Sequence, residues 1–462
     1  MNASGFFAPK GALVRRALSA AALVSMIFLV AGCGGGGGAS VTQPPPNGLT
    51  YLTGVTRGQN VVSQSTGWTP VTPAPVQPHR KWTFLVYMNG ANDLETYGVL
   101  NMNQMEKIGS TDQVNMVVQF KRKGNDLTNG KWTNTRRFFV THDTDDQTIN
   151  SQLLSTNDNV DMGTVAALQD FIQWGVQTFP ADRYCLVLWN HGAGWRSVPL
   201  SQHGRGFSYD DATGHHIDTI QMPAAIDMGN GRKWDLLTID CSLMQMAEVA
   251  YEIRDKENYI VGSEESPPGA GYPYDTVMDQ LTKNPDMDGR QLGINIANDT
   301  IAHYGIGSDS TQSVLDASRV GAVASAVNAL GGALLQATPR YGVGIASMRR
   351  QSEAYEYPDN HDLLDFCLLL TNASSGVADS GVQSAANQVI AAVNNALVIN
   401  AHGNAHAHSN GLAIFLPSPS AYNQIDQEQY KGFGQRYSEL ALSKAAPNWQ
   451  SFLVQGPPDT TP

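Results

Sequence analysis

Two short stretches of the chain combine residue types that suit nucleophilic catalysis. The apolar run 184–189 leads into a Gly-rich stretch that carries His191, and the apolar run 234–239 is followed closely by Cys241 and Ser242. A thiol or a hydroxyl becomes an effective nucleophile when an imidazole manages its proton and backbone N–H groups hold the developing oxyanion. We therefore predict an acyl-transfer site built from His191 and one of the two neighbouring nucleophiles.

The elements that must position these residues follow an α/β pattern. Continuous apolar runs, typical of buried strands, alternate with stretches of helical spacing, which predicts an α/β sandwich around a mostly parallel sheet flanked by helices. Active sites in such sheets lie beyond the carboxyl ends of the strands, so His191 and the turn at 240–242 are expected to meet there, with a helix starting directly after the turn. Strands are predicted over 82–87, 115–120, 137–140, 184–189, 234–239, 259–262, 313–315 and 411–416, and helices over 164–178, 243–254 and 320–335.

Composition excludes several classes of protein. The chain has 462 residues, of which 42% are hydrophobic and 15% charged, so it is neither disordered throughout nor fibrous. The formal net charge is -12, and no basic run offers the phosphate neutralisation that a nucleic-acid partner needs. Four cysteines are too few for a disulfide scaffold.

The N-terminal part resembles an export signal with a lipid anchor. Basic residues near the start precede the apolar run 17–30, as in a signal peptide. The run ends in Leu-Val-Ala-Gly-Cys, which is similar to the lipobox of bacterial lipoproteins and implies acylation of Cys33; an ordinary signal peptide with an incidental cysteine is the alternative. Gly34 after that cysteine resembles the sorting signal for the outer membrane of Gram-negative bacteria.

These features divide the chain into four parts. We predict a lipoprotein signal peptide at 1–32, a Gly/Pro-rich tether at 33–80, one folded domain at 81–455 and a flexible tail at 456–462. A tether of this composition lacks the apolar residues needed to fold, and it would let the domain stand off a membrane.

Several motifs occur in one order along the folded part and together resemble a known family. They are 82–93, the Leu-Trp-Asn-His-Gly-Ala-Gly-Trp stretch at 188–195, 209–211, 240–244, 248–252, 262–269 and 409–417. In this order they resemble the clostripain family of cysteine peptidases (peptidase family C11), a branch of the caspase-like clan. The resemblance implies a caspase-like α/β domain, a His–Cys dyad and endopeptidase cleavage after Arg or Lys, and it identifies His191 as the catalytic histidine.

The nucleophile departs from the family pattern. The family usually has an acid, Ala and Cys at this strand end; without a gap, Cys241 takes the place of the Ala and Ser242 takes the place of the nucleophile. Three interpretations stay open: a locally shifted turn that uses Cys241, a serine variant that uses Ser242, or an inactive relative that keeps the groove and binds basic peptides. The sequence-based expectation is a cysteine endopeptidase with Cys241 as the leading candidate for the nucleophile. In the active readings, backbone N–H groups near Gly192 and the nucleophile would form the oxyanion hole.

The resemblance also implies acidic residues that pair with a basic substrate side chain. Candidates are Asp240 and, after the next strand, Glu264, Glu265 and Asp275, although each of these would also serve as a helix cap or a solvated loop charge. Some relatives cut themselves after a basic residue beyond the histidine, a role that Arg205 would match if it is not an ordinary surface residue.

Cofactors and partners follow from the same observations. The cluster His402, His406 and His408 lacks the accompanying Cys or HExxH pattern of a zinc site, so no metal ligands are assigned. No cofactor is required by the sequence, and calcium enters only because the family often uses it. The expected partners are a peptide or protein substrate with basic residues and a membrane bound through the lipid anchor. Cys185 and Cys367 lie in apolar runs and are expected to be buried thiols.

Overall fold

The computed structural model describes residues 67–75, 78–126, 128–197, 205–229, 231–428 and 435–459. All of these residues belong to one compact unit. The strands are β1 (Thr69–Pro70), β2 (Arg80–Gly90), β3 (Val114–Arg122), β4 (Thr135–Phe139), β5 (Gln152–Asn157), β6 (Ala181–Trp189), β7 (Gly192–Ser197), β8 (Arg205–Asp210), β9 (His215–Ile217), β10 (Leu236–Asp240), β11 (Tyr259–Gly262), β12 (Thr311–Asp316), β13 (Asn360–Asp362), β14 (Leu397–His402) and β15 (Ala413–Phe415).

The main sheet has ten strands in the order β1-β5-β4-β3-β2-β6-β10-β11-β12-β14. Its centre, from β3 to β11, is parallel, whereas both flanks are antiparallel. Strands β7, β8 and β9 form a separate small sheet, and β13 pairs with β15. The apolar run 411–416 therefore contains a buried strand, as predicted, but that strand lies outside the main sheet.

Helices cover both faces of the main sheet. They are α1 (Glu95–Glu106), α2 (Val165–Thr178), α3 (Met222–Ala225), α4 (Ala247–Ile253), α5 (Tyr274–Lys283), α6 (Gly289–Tyr304), α7 (Val320–Gln351), α8 (Leu363–Thr371), α9 (Ser380–Ala396), α10 (Pro419–Glu428), α11 (Ala441–Ala445) and α12 (Pro447–Gln455). The predicted fold class, a caspase-like α/β sandwich with helices on a largely parallel sheet, is confirmed.

Side chains alternate between the two faces of the central strands, so the sheet has an apolar core on each face. On β2, Leu85 and Tyr87 face one core, which the helices α2, α4, α7, α8, α9 and α12 also line. Phe84 and Val86 face the other core, which packs against α1, α5 and α6. Because successive side chains of a strand point to opposite faces, a strand buried on both faces is apolar throughout, as the sequence of β2 is.

Two helices differ from their predicted bounds. The helix predicted over 243–254 begins only at Ala247, because the residues before it form an extended segment in which the Gln245 N–H donates to the Ser263 carbonyl at 3.0 Å. The helix predicted over 320–335 continues to Gln351 and contains Pro339. In the described part of the chain, 317–351 is the one helical stretch long and apolar enough to span a membrane. Half of the most apolar window of this helix is buried inside the domain.

The folded part extends beyond its predicted limits at both ends. Residues 67–75, placed in the tether by their composition, lie against the domain: β1 pairs with β5, and the Trp68 indole donates to Asp170 at 3.0 Å. At the other end, Arg349 on α7 donates to the Pro457 carbonyl at 3.0 Å and binds Asp459. Trp68 holds the first segment on the domain, and the ion pair of Arg349 with Asp459 holds the second. Neither segment is apolar enough for the sequence to predict that it is part of the folded domain.

Candidate active site

Three neighbouring parallel strands end at the same edge of the sheet, and the predicted site residues follow them there. Met88 on β2 is in register with Trp189 on β6, which in turn is in register with Asp240 on β10. The residues that follow each of these positions therefore emerge side by side. This arrangement brings together the His191 loop and the 240–243 turn, as the sequence predicts.

A cavity of about 330 Å³ opens at that edge. Its walls come from the loop before α1, the end of β6, the end of β10, the segment after β11 and the loop after α7. The lining residues are Leu94, Trp189, Asn190, His191, Gly192, Asp240, Cys241, Ser242, Leu243, Ser266, Pro267, Pro268, Gly269, Gly271, Glu356 and Tyr357. Of the predicted site residues, His191, Gly192, Asp240, Cys241 and Ser242 share this one cavity.

His191 is held against a carboxylate. Its Nε2 lies 2.6 Å from Oδ1 of Asp93, and the His191 side chain is 22% exposed. The preceding residue, Asn190, is buried and accepts the Tyr209 N–H at 2.7 Å, while its amide donates to the Asn89 carbonyl. These bonds tie the loop to β2 and β8, so the imidazole is carried by a fixed backbone.

Gly192 is required by close packing with the neighbouring turn. A Cβ at this position would lie 2.4 Å from the Ser242 carbonyl oxygen and 2.8 Å from the Cys241 Cβ. Real side chains do not tolerate such distances, so the histidine loop and the nucleophile turn approach this closely only with glycine. The predicted role of Gly192 near the oxyanion is consistent with this proximity.

Cys241 is among the lining residues of the cavity, but it is almost completely buried. It is 2% exposed, and its Sγ donates to the Leu188 carbonyl at 3.4 Å. Burial, and then the nearby Asp240, raise the pKa of the Cys241 thiol well above its usual range. The thiol is therefore protonated at neutral pH, whereas a nucleophilic cysteine is normally a thiolate of lowered pKa.

Ser242 is more open than Cys241 and lies on the cavity wall. The residue is half-buried, and within the described residues its hydroxyl makes no hydrogen bond to protein. The next residue, Leu243, has φ of 63°, a left-handed conformation that costs a non-glycine residue roughly 1 kcal/mol or more. Its N–H donates to the Glu265 carbonyl at 3.3 Å, which holds the strained turn in place.

The turn is not a helix N-terminus. Because α4 begins at Ala247, Cys241 and Ser242 do not stand at its first turn, and the turn with the left-handed Leu243 positions them instead. The prediction that a helix starts directly after Ser242 was wrong, since Leu243 in a left-handed conformation cannot continue into an α-helix.

Asp240 is a buried carboxyl at the floor of the cavity. It is 6% exposed, and Oδ2 accepts the Tyr274 hydroxyl at 2.8 Å and the Tyr272 N–H at 3.3 Å. Burial raises its pKa to about 6, although these hydrogen bonds oppose the shift. A cation in the cavity would favour the ionised form of Asp240 and so oppose the effect of burial.

The other acidic candidates do not line the cavity. Glu264 is fully buried beside Asp362, its Oε2 accepts the Gly411 N–H at 3.1 Å, and burial raises its pKa well above the usual range. Glu265 is buried behind the wall, where its Oε1 accepts the Ser266 N–H at 2.7 Å. Asp275 lies on α5 and pairs with Lys107 at 3.2 Å. In this structure these three carboxyls shape or surround the site without facing it.

Two residues of the site were not assigned a role from the sequence. Asp93 stands in the motif at 82–93, but nothing in its spacing reveals that it contacts His191. Glu356, on the cavity rim, follows α7 and lies more than a hundred residues from His191 in the chain. Only the fold brings either residue to the site.

The remaining predictions concern positions with little or no described structure. Arg205 begins β8 directly after 198–204, which lie outside the described residues. Cys33 and the whole signal and anchor region also lie outside them.

Among the described residues, no group of three or more His, Cys, Asp or Glu side chains is arranged to hold a metal ion. Cys185 and Cys367 are free, buried thiols, as predicted.

The sheet with a parallel centre and helices on both faces gives the chain a caspase-like α/β fold, in which His191 and the 240–243 turn meet at one edge. The sequence profile of the clostripain family (peptidase C11) matches residues 86–455, so the chain belongs to the clostripain family of cysteine peptidases.

Individual relatives agree with this assignment. Clostripain of Hathewaya histolytica is 25% identical over 435 residues, covering 80% of this chain and 78% of clostripain. A secreted C11 cysteine protease of Bacteroides thetaiotaomicron, solved with an irreversible peptide inhibitor, has a TM-score of 0.58 at 20% identity and covers 80% of this chain and 99% of its own. An inactive zymogen C11 protease of Parabacteroides distasonis has a TM-score of 0.56 at 20% identity with the same coverage.

Proposed function

We propose that the protein is an endopeptidase that cleaves peptide bonds after Arg or Lys, with Ser242 as the nucleophile. The observation that carries the proposal is the shared cavity: His191, held by Asp93, and the half-buried Ser242 line the same cavity, and the Asp240 carboxyl lies at its floor. Specificity for a basic residue fits clostripain, the family's namesake, and the buried carboxyl gives a cationic side chain a partner.

In the proposed reaction, His191 removes the proton of the Ser242 hydroxyl as Oγ attacks the carbonyl carbon of the scissile bond. The imidazolium then gives that proton to the leaving amine, and an acyl-enzyme ester remains on Ser242. Water, deprotonated by His191, hydrolyses the ester and restores the hydroxyl. Asp93 orients the imidazole and stabilises its charged form, and backbone N–H groups near Gly192 would hold the oxyanion.

Ser242 is favoured over Cys241 because it is more exposed. The Cys241 thiol is buried and donates to the Leu188 carbonyl, so attack on a substrate would require the turn to rearrange. Ser242, which is half-buried on the cavity wall, is the more accessible of the two residues. The contact of His191 with Asp93 supports this choice, because a hydroxyl nucleophile depends more heavily than a thiol on an oriented imidazole.

A second candidate function follows from the presence of Ser242. With a hydroxyl at the position where the family places a thiol, the chain would serve as a non-catalytic module that binds basic peptides in the cavity. Asp240 would then hold the ligand, and His191 would have no proton to transfer.

Hydrolysis of fluorogenic peptides ending in Arg or Lys decides between these functions. The chain from residue 60 onward would be assayed with and without calcium, as the parent and as Ser242→Ala, Cys241→Ala and His191→Ala. Turnover lost in Ser242→Ala and His191→Ala but kept in Cys241→Ala supports the serine mechanism. The opposite pattern assigns the reaction to Cys241. Absence of turnover in a folded parent, with turnover gained in Ser242→Cys, supports the binding module.

On the features of the first 33 residues we further propose that the protein is a lipoprotein of the cell envelope, anchored in the outer membrane of a Gram-negative bacterium. The support is the basic start, the apolar run and the lipobox-like sequence that ends at Cys33. Full-length protein should carry a lipid on its N-terminal peptide by mass spectrometry and fractionate with outer membranes. A Cys33→Ser variant that kept both properties would overturn the proposal.

A further inference from the structure

Glu356 adds a second carboxylate to the cavity at a different depth from the first. Asp240 is 6% exposed at the floor, whereas Glu356 is an exposed residue on the loop after α7 that forms part of the rim. No Lys or Arg is among the lining residues that the structure describes. The cavity therefore presents one negative group to a side chain that enters it and another to whatever lies across its mouth.

The position of Glu356 is fixed by the segment after β11. The Ser266 hydroxyl donates to Glu356 Oε2, and the Glu356 N–H donates to Glu265 Oε1 at 3.2 Å. Glu265 is itself close to His406, at 3.5 Å between Oε2 and Nε2. Within the described residues, Glu356 Oε1 has no donor from the protein. The carboxylate is thus oriented through its backbone and one oxygen, and the other oxygen is available to a ligand.

We propose that Glu356 selects substrates that carry a second cationic side chain next to the one that enters the cavity and reaches Asp240. The inference rests on the proposed function, which it deepens from cleavage after single basic residues to a preference for paired basic residues. An extended peptide that places one side chain in the cavity must lay its neighbours along the rim, where Glu356 offers the charge partner for Arg or Lys.

The expected preference is small and depends on salt. Glu356 is exposed, and exposed ion pairs contribute little, so a neighbouring cation should raise kcat/KM roughly two- to five-fold at low ionic strength. Screening should remove most of this difference at about 0.5 M salt, because the Debye length then falls to a few ångströms. A buried carboxylate such as Asp240 would be much less sensitive to salt.

The test compares peptides that differ by one charge. Fluorogenic peptides with Arg at the cleaved position would carry either Arg or its neutral isostere citrulline at each neighbouring position in turn. At one position the parent should cleave the Arg peptide two- to five-fold better than the citrulline peptide. That ratio should fall to about one in Glu356→Gln and persist in Asp309→Asn, which removes an exposed carboxylate that does not line the cavity.

Two results would overturn the inference: a ratio near one at every position in the parent, or a ratio that persists in Glu356→Gln. If no peptide is hydrolysed, the proposed function fails, and Glu356 is then tested separately. Fluorescence anisotropy of the same labelled peptide pairs, bound to Ser242→Ala with and without Glu356→Gln, should show the same ratio in Kd and the same loss.

Discussion

His191 and Asp93 form a pair 2.6 Å apart, although they stand on different loops and are 98 residues apart in the chain. Asp93 precedes α1 and reaches the site from the β2 side, whereas His191 follows β6. A carboxylate beside an imidazole fixes the ring orientation and stabilises the imidazolium that forms when the ring takes a proton. The serine mechanism proposed for the site depends on this pair.

Replacing Asp93 with Asn should lower kcat about ten-fold or more and leave KM within a factor of two. The amide keeps the size of the side chain but removes its charge, so the effect should fall on proton transfer and not on binding. Steady-state kinetics with a basic fluorogenic peptide measures both constants. Asp211→Asn, which removes a nearby carboxylate that pairs with Lys123 at 2.9 Å, is the matched control. An equal loss of kcat in Asp211→Asn would show that removing any nearby negative charge lowers kcat, and that the contact of Asp93 with His191 is not the cause.

The native protein should resist thiol reagents. Cys185, Cys241 and Cys367 are free and buried, and burial raises the pKa of all three thiols. A chain beginning at residue 60 should therefore take up no iodoacetamide at pH 8 until it is denatured, as measured by intact mass. Ser242→Cys should take up one equivalent while folded, because its thiol would stand at the cavity wall. Rapid modification of Cys241 in the folded parent would contradict the burial of its thiol.

The sequence reveals the fold because the central strands are apolar on both faces. Runs such as 82–87 and 184–189 can be buried only between two helical layers, and the structure places them there as β2 and β6. The same reasoning locates His191 and the 240–242 turn, since parallel strands bring their carboxyl ends to one edge. The edge strand β14 is harder to predict, because a short, half-exposed strand lacks a continuous apolar run.

The finer features of the site depend on contacts that have no local signal. The left-handed Leu243 that delays α4 has a helix-compatible side chain, so periodicity alone extends the helix too far. Glu264 resembles a substrate-binding acid by its place after β11, yet its side chain turns into the core beside Asp362. Only the packing of distant segments decides whether an acid at a strand end faces solvent, ligand or core.

Residues 67–75 should contribute to stability although they belong to the tether by composition. The Arg137 guanidinium lies between the Trp68 and Trp174 rings, 3.8 and 4.3 Å from their centroids, and also pairs with Asp170. Trp68→Ala should lower the free energy of unfolding by about 1–2 kcal/mol, because it exposes one face of this buried cation. Urea unfolding of the two proteins measures the difference. A chain starting at Lys81 should show at least as large a loss, and equal stability would mean that the segment is not docked in solution.

The stability of the fold should decrease as the pH rises from about 6 to 8. Burial raises the pKa of Glu106 and of Glu248 to about 7, whereas both would titrate near 4.3 in the unfolded chain. In this pH window the folded state binds more protons than the unfolded state, so raising the pH favours unfolding. His361, whose pKa burial lowers to about 4, acts in the opposite direction but only below about pH 6.5, where the unfolded histidine becomes charged.

Glu248 allows this linkage to be tested at one position. It is fully buried; its Oε1 accepts the Phe415 N–H at 3.1 Å and the Tyr437 hydroxyl at 3.0 Å, and Oε2 has no partner among the described residues. Glu248→Gln mimics the protonated form, so it should reduce the loss of stability between pH 6 and 8 by on the order of 1 kcal/mol in urea titrations. Glu439→Gln, at a partly exposed position, should leave the pH dependence unchanged. If parent and Glu248→Gln lose stability equally over this range, Glu248 is already ionised in the fold at pH 6, and the protons must be released elsewhere.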